Sequence, residues 1–160
     1  MCIRDSPTVD QKLTRSQKIC MVTPAPTYSR KGNRVTALRW ARILRQLGHQ
    51  VIVQQSYQRL KCDLMIALHA RRSHESMVRF RQRYANLPLI LALTGTDLYG
   101  DIHSDESAQL SLDMADMFVL LQPEGVNQLP LSMHHKVEVI YQSVTPPPRQ
   151  FQPKRGIFEI

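Results

Sequence analysis

With 160 residues, 42% of them hydrophobic and 21% charged, the chain has the makeup of a folded domain and the length to bury a core. No apolar run approaches the roughly 20 residues of a membrane helix, and no apolar segment at the N-terminus marks a secretory signal. The formal charge of +8 admits nucleic acid, an anionic membrane face or acidic small ligands as partners. Arginines fall in separate clusters at 30–45, 71–72 and 79–83, with no interleaved aromatics and no zinc-finger spacing. Small anionic ligands are therefore expected before a specific nucleic acid, with non-specific polyanion affinity at low salt. Three scattered cysteines (Cys2, Cys20, Cys62) form no CxxC pair and no disulfide framework, which fits a reducing cytoplasm.

Residues 1–17 show no periodicity; Met1 to Ser6 reads as a non-native leader, and the whole stretch is set aside as disordered or non-native. Ile19 to Val22 reads as a buried strand. An eleven-residue loop, Thr23 to Asn33, carries Pro24, Pro26 and Gly32 into a helix from about Arg34 to Leu47, closed by Gly48. Ala37, Trp40, Ala41, Leu44 and Leu47 share its core face, with Arg39, Arg42 and Gln46 opposite. Arg30, Lys31 and Arg34 crowd the N-terminal end of that helix, where positive charge opposes the dipole unless an anion sits among it. The first-turn N–H groups lack intrahelical partners, so Gly32 to Arg34 reads as a phosphate site; the alternative is a solvated basic face.

Val51 to Val53 is the second expected strand, and Leu64 to Leu68 the third, apolar on both faces as buried parallel strands are. His69 to Ser73 forms the loop at its end. Ser73 caps a helix to about Tyr84 with Met77, Phe80 and Tyr84 inward. Leu89 to Leu93 is the fourth strand, followed by a TGTDLYGD loop. Ser104, with Asp105 and Glu106, opens a helix ending near Ala115. Met117 to Leu121, a short helix from Pro123 to Pro130, and Val137 to Tyr141 complete a domain over 18–145. Residues 146–160 read as a proline-rich linker and the start of a second domain, cut off at the chain end. Strands alternating with helices predict an α/β fold, a Rossmann-like parallel sheet covered on both faces.

Ligands of such sheets collect beyond the carboxyl ends of the strands, where the winding reverses. Three polar loops are expected there: Thr23 to Arg34, His69 to Ser73 and Thr94 to Asp97. The GxGxxG and GxxxxGK[ST] fingerprints are missing, which weakens nicotinamide, flavin and P-loop readings. No cluster has metal-ligand spacing. His134 and His135 read as surface residues of a polar loop.

The strings TPAPTYSRKGNRVTALRWARILRQLGH, DLMIALHARRS, LALTGTDLY and VEVIYQSV resemble the N-terminal domain of GT-B glycosyltransferases of the family 4 kind. The HARRS and TGTDLY strings are most similar to the selenosugar synthases of selenoneine biosynthesis (the SenB type). That resemblance spans Lys18 to Val144. It implies half of a GT-B fold, supplying the acceptor side of a cleft. The whole enzyme would join selenophosphate to the sugar of UDP-N-acetylglucosamine with release of UDP, without metal or further cofactor. The paired-glutamate segment that holds the donor in family 4 enzymes is missing from the chain, so the fragment alone is expected to be inactive.

Within that reading His69 and Asp97 are the candidate catalytic residues. His69 would serve as base or as hydrogen-bond donor; Asp97 serves catalysis or caps the next segment. Gly32, Asn33, Arg34, Arg71, Arg72, Ser73, Thr94, Gly95, Thr96, Gln142 and Ser143 are the candidate substrate-binding residues. Arginine's planar fork suits phosphate and selenophosphate oxygens, and of Arg71 and Arg72 one is expected inward and one solvated. Many family 4 enzymes carry histidine where Thr94 stands. A selenophosphate acceptor, already charged, needs less help from a base. The rival readings are a family 4 transferase with a sugar or lipid hydroxyl acceptor, and a non-catalytic α/β module binding polyanions.

Overall fold

The computed structural model describes residues 15–30 and 32–142. The expected leader up to residue 14, Lys31, Ser143 and the linker at 146–160 lie outside the described residues. Six parallel strands form one sheet: β1 (Lys18–Val22), β2 (Gln50–Gln54), β3 (Leu64–Leu68), β4 (Leu89–Leu93), β5 (Met117–Leu120) and β6 (Val137–Val139). Their order is β2-β1-β3-β4-β5-β6. The expected α/β class and Rossmann-like sheet are thus the observed ones.

Alternating residues of each strand serve two cores. Cys20, Met65, Leu91 and Phe118 face one side, with Met77 and Phe80 of α2 (His74–Arg83) and Leu112 of α4 (Glu106–Met114). Met21, Ile66, Ala92 and Val119 face the other, packed by Ala37, Ala41, Trp40 and Leu44 of α1 (Gly32–Gln46). Burial on both faces explains why β3 and β4 are continuous apolar runs with no alternation.

Several boundaries differ from expectation. α1 begins at Gly32 and ends at Gln46, and Leu47 is exposed beyond it. Gly48, at φ 92°, closes α1 with its N–H on Arg45 C=O and the His49 N–H on Leu44 C=O, both at 3.0 Å. That pair of bonds satisfies the last carbonyls of the helix. The residues just before β1 are bonded to the domain: Ser16 Oγ donates to Gly48 C=O at 2.7 Å, and the Gln17 N–H to His49 Nδ1 at 3.2 Å. β5 and β6 stop at Leu120 and Val139, short of their expected ends. His134 and His135 lie on a 3-10 helix, Leu131–Lys136, not in a loop.

The TGTDLYGD stretch is largely helical. A π-helical turn, Asp97–Asp101, runs into one α turn, α3 (Ile102–Ser104). The cap of α4 is Asp105, whose carboxylate accepts from the Ala108 N–H at 2.9 Å; Ser104 belongs to the preceding turn. Ser73 occupies the position before α2, but its hydroxyl donates to Leu68 C=O at 2.6 Å and leaves the helix N-terminus uncapped.

Candidate functional site

The chain leaves β1 toward the β2 edge and returns past β1 to β3, so the winding reverses between β1 and β3. The segments after β1, β3 and β4 all emerge at this end of the sheet. Their side chains bind one another. Thr94 Oγ1, just after β4, donates to Asn33 Oδ1 in the first turn of α1 at 2.6 Å. The Ala70 N–H, after β3, donates to Asp97 Oδ2 at 3.0 Å. Thr94 and Gly95 N–H groups donate to Asp97 Oδ1 at 3.1 and 3.0 Å. Gly32, His69 and Asp97 therefore border one corner, as the sequence reading requires.

Asp97 is fully buried, and both carboxylate oxygens are taken by backbone donors. Three of the carboxylate's roughly four acceptor positions are thereby taken by the backbone. Asp97 fastens the loop after β4 to the loop after β3.

His69 is almost as deeply buried and adopts φ 76°, a left-handed backbone that costs a histidine about 1 kcal/mol or more. Its Nδ1 accepts the Arg72 N–H at 3.4 Å. The neutral ring then carries its proton on Nε2, which lies 3.4 Å from Thr96 Oγ1 and 3.7 Å from Asp101 Oδ2. This tautomer makes His69 a hydrogen-bond donor and disfavours the base role.

Burial holds the His69 imidazole below its ordinary pKa; Asp97 and Asp101 pull it upward, and Arg72 and Arg71 push it further down. The unfolded chain consequently takes up this proton at higher pH than the folded one. Stability conferred by the neutral ring is present above the unfolded value near 6.5 and is lost as pH falls below it, toward the folded value. Replacing His69 with asparagine, which tolerates the left-handed backbone, is expected to flatten the loss of urea stability between about pH 7 and pH 5. Equal slopes in the two proteins would show that another group carries the dependence.

Arg71 places its Nε 3.2 Å from Asp101 Oδ2, but it is exposed, as Arg72 is, so burial does not divide the pair as expected. Ser73 is buried and spends its hydroxyl inside the fold. Thr96 is exposed at the rim. Gln142 Nε2 donates to Thr36 Oγ1 of α1 at 3.0 Å, which brings the last described residue beside the same helix end. Among the described residues, chain neighbours and the helix's own backbone aside, nothing lies within 4 Å of where a Cβ would sit on Gly32 or Gly95. Both backbone stretches are open on that side, and Gly95, at φ 142°, could not readily be another residue.

Among the described residues three buried side-chain atoms lack a hydrogen-bond partner: Thr23 Oγ1, Arg34 Nε and Asp101 Oδ2. All three belong to this end of the sheet. Thr23 directly follows β1, Arg34 is in the first turn of α1, and Asp101 stands within ion-pair distance of Arg71 but outside hydrogen-bond geometry. Buried polar atoms are rarely left unpaired, and orphans gathered at one corner are what a bound ligand would satisfy. Asp101 was missed in the sequence. Its signal is the Asp97–Asp101 spacing of four, which shares a face only when the stretch is helical.

The first turn of α1 contains no acidic residue to offset Arg34 from within the helix. Among the described residues no three His, Cys, Asp or Glu side chains gather as metal ligands, and no helix is long and apolar enough to cross a membrane. No protein-family model and no curated protein matches the chain.

Proposed function

We propose that this chain is a transferase domain that holds a phosphate-bearing ligand at the end of β1 and β3. The observation that carries the reading is that unpartnered Thr23 Oγ1 and Arg34 Nε lie at the end of the sheet where the segment after β3, with Arg71, also emerges. An anion there would accept from the arginines, the threonine hydroxyl and first-turn N–H groups, which have no partner inside the helix.

Within that class, the resemblance of the HARRS and TGTDLY strings makes it the acceptor side of a cytoplasmic GT-B glycosyltransferase forming a selenosugar. Selenophosphate selenium would attack the anomeric carbon of UDP-N-acetylglucosamine. The new Se–C bond replaces the C–O bond to the diphosphate, and UDP leaves with the electron pair; water then cleaves the Se–P bond, releasing phosphate and leaving the selenosugar. An anionic nucleophile needs no proton removed. That suits a neutral His69 donating from Nε2 and an Asp97 held by three backbone N–H groups. Arg71 and Arg34 would hold the selenophosphate oxygens, and Gly32, Asn33, Thr94, Gly95 and Thr96 would line its approach.

The reading requires a second domain for the nucleotide sugar, so the test uses a protein carrying both. UDP release from UDP-N-acetylglucosamine is expected with selenophosphate and not with a sugar hydroxyl acceptor. Release only with the hydroxyl acceptor would make the protein an ordinary family 4 transferase. No release with either acceptor overturns the proposal.

A further inference from the structure

A hollow of about 230 Å³ opens between the segment after β2 and the C-terminal half of α2, lined by Arg59, Arg79, Gln82 and Arg83. None of the four brings a carboxylate to it. Of the three guanidinium groups, only Arg79 has a carboxylate partner among the described residues, Glu75 one turn earlier on α2. Arg83 lies over the Tyr84 ring at 5.3 Å, which steadies its charge near the rim. Cations sharing a concavity repel one another unless an anion joins them.

The turn bearing Arg59 is pinned to α2. The Tyr57 N–H donates to Ser76 Oγ at 3.0 Å, the Tyr57 hydroxyl to Leu60 C=O at 3.0 Å, and the Tyr57 ring meets Phe80 edge-on at 5.7 Å. Arg59 adopts φ 54°, and His69 at the candidate site is the only other non-glycine residue with positive φ among those described. Glycine or asparagine would take that backbone with less strain. The fold thus keeps a cation at a strained position on a rigid turn, facing two further cations.

We infer that this hollow is a second anion site, built for a small phosphate dianion of the size of phosphate or pyrophosphate. Its volume lies below that of drug-sized ligand pockets, and guanidinium forks match phosphoryl oxygens. It is separate from the corner described above. α2 starts at His74 beside that corner and ends at Arg83, a span of about 15 Å at the helical rise. It does not depend on the transferase reading.

The test titrates the full chain with inorganic pyrophosphate at constant ionic strength and follows the arginine Nε–H resonances. Saturable shifts are expected at Arg59, Arg79 and Arg83, and they should persist in Arg71→Ala, which weakens the other corner. Arg59→Gly keeps the backbone conformation without strain, so it should fold at least as stably as the parent. It should nonetheless weaken pyrophosphate binding about tenfold or more, and Arg83→Gln likewise. Unchanged affinity in both variants, or shifts that never saturate, would overturn the site. So would tighter, salt-sensitive binding of a single-stranded oligonucleotide, which would make this a diffuse basic face.

Discussion

Replacing Asp97 with alanine is expected to destabilise the protein by about 3–5 kcal/mol, because three backbone N–H groups lose a charged acceptor in a fully buried position. Each such bond is worth roughly 1.5–3 kcal/mol, and water entering the space recovers part of the loss. The urea midpoint should fall with the m-value unchanged, as for a loss of stability without a change in the surface exposed on unfolding. Asp97→Asn should cost less. Its amide oxygen can keep the Thr94 and Gly95 donors, while its NH₂ meets the Ala70 N–H donor to donor. A midpoint within experimental error of the parent in Asp97→Ala would show that the three loops are held together by other means.

The second large effect concerns anion binding at the corner. Arg34→Ala and Arg71→Ala should each weaken the affinity for selenophosphate, or for inorganic phosphate as its stand-in, by about an order of magnitude or more. Arg42→Ala is the control; it is exposed on α1, away from the first turn. That variant should change affinity little at physiological ionic strength, where exposed charges beyond about 8 Å are largely screened. Equal losses at all three positions in a calorimetric titration would reduce the corner to bulk positive charge.

The apolar runs Leu64–Leu68 and Leu89–Leu93 were legible as strands because both faces of a central parallel strand are buried. Gly48 was legible as a helix stop because its chemistry is local: a left-handed residue is needed where the last carbonyls must be capped. The grouping of Gly32, His69 and Asp97 at one end was legible as well, since a strand–loop–helix alternation sends every such loop to the carboxyl edge of the sheet. The π-helical turn at Asp97–Asp101 was hidden behind threonine and glycine residues that read locally as a loop. With it went Asp101 and the true cap, Asp105.

Short-range patterns in the chain were enough for the α/β class, for most strands, and for which loops would share an end of the sheet, because apolar periodicity and turn chemistry act over a few residues. The partners inside the corner came from the folded arrangement alone. Thr94 finds Asn33 across 61 residues and Asp97 finds the Ala70 N–H across 27, since strand order and register bring them within hydrogen-bond distance. That is why the fastening Asp97 makes between two loops is visible only in three dimensions.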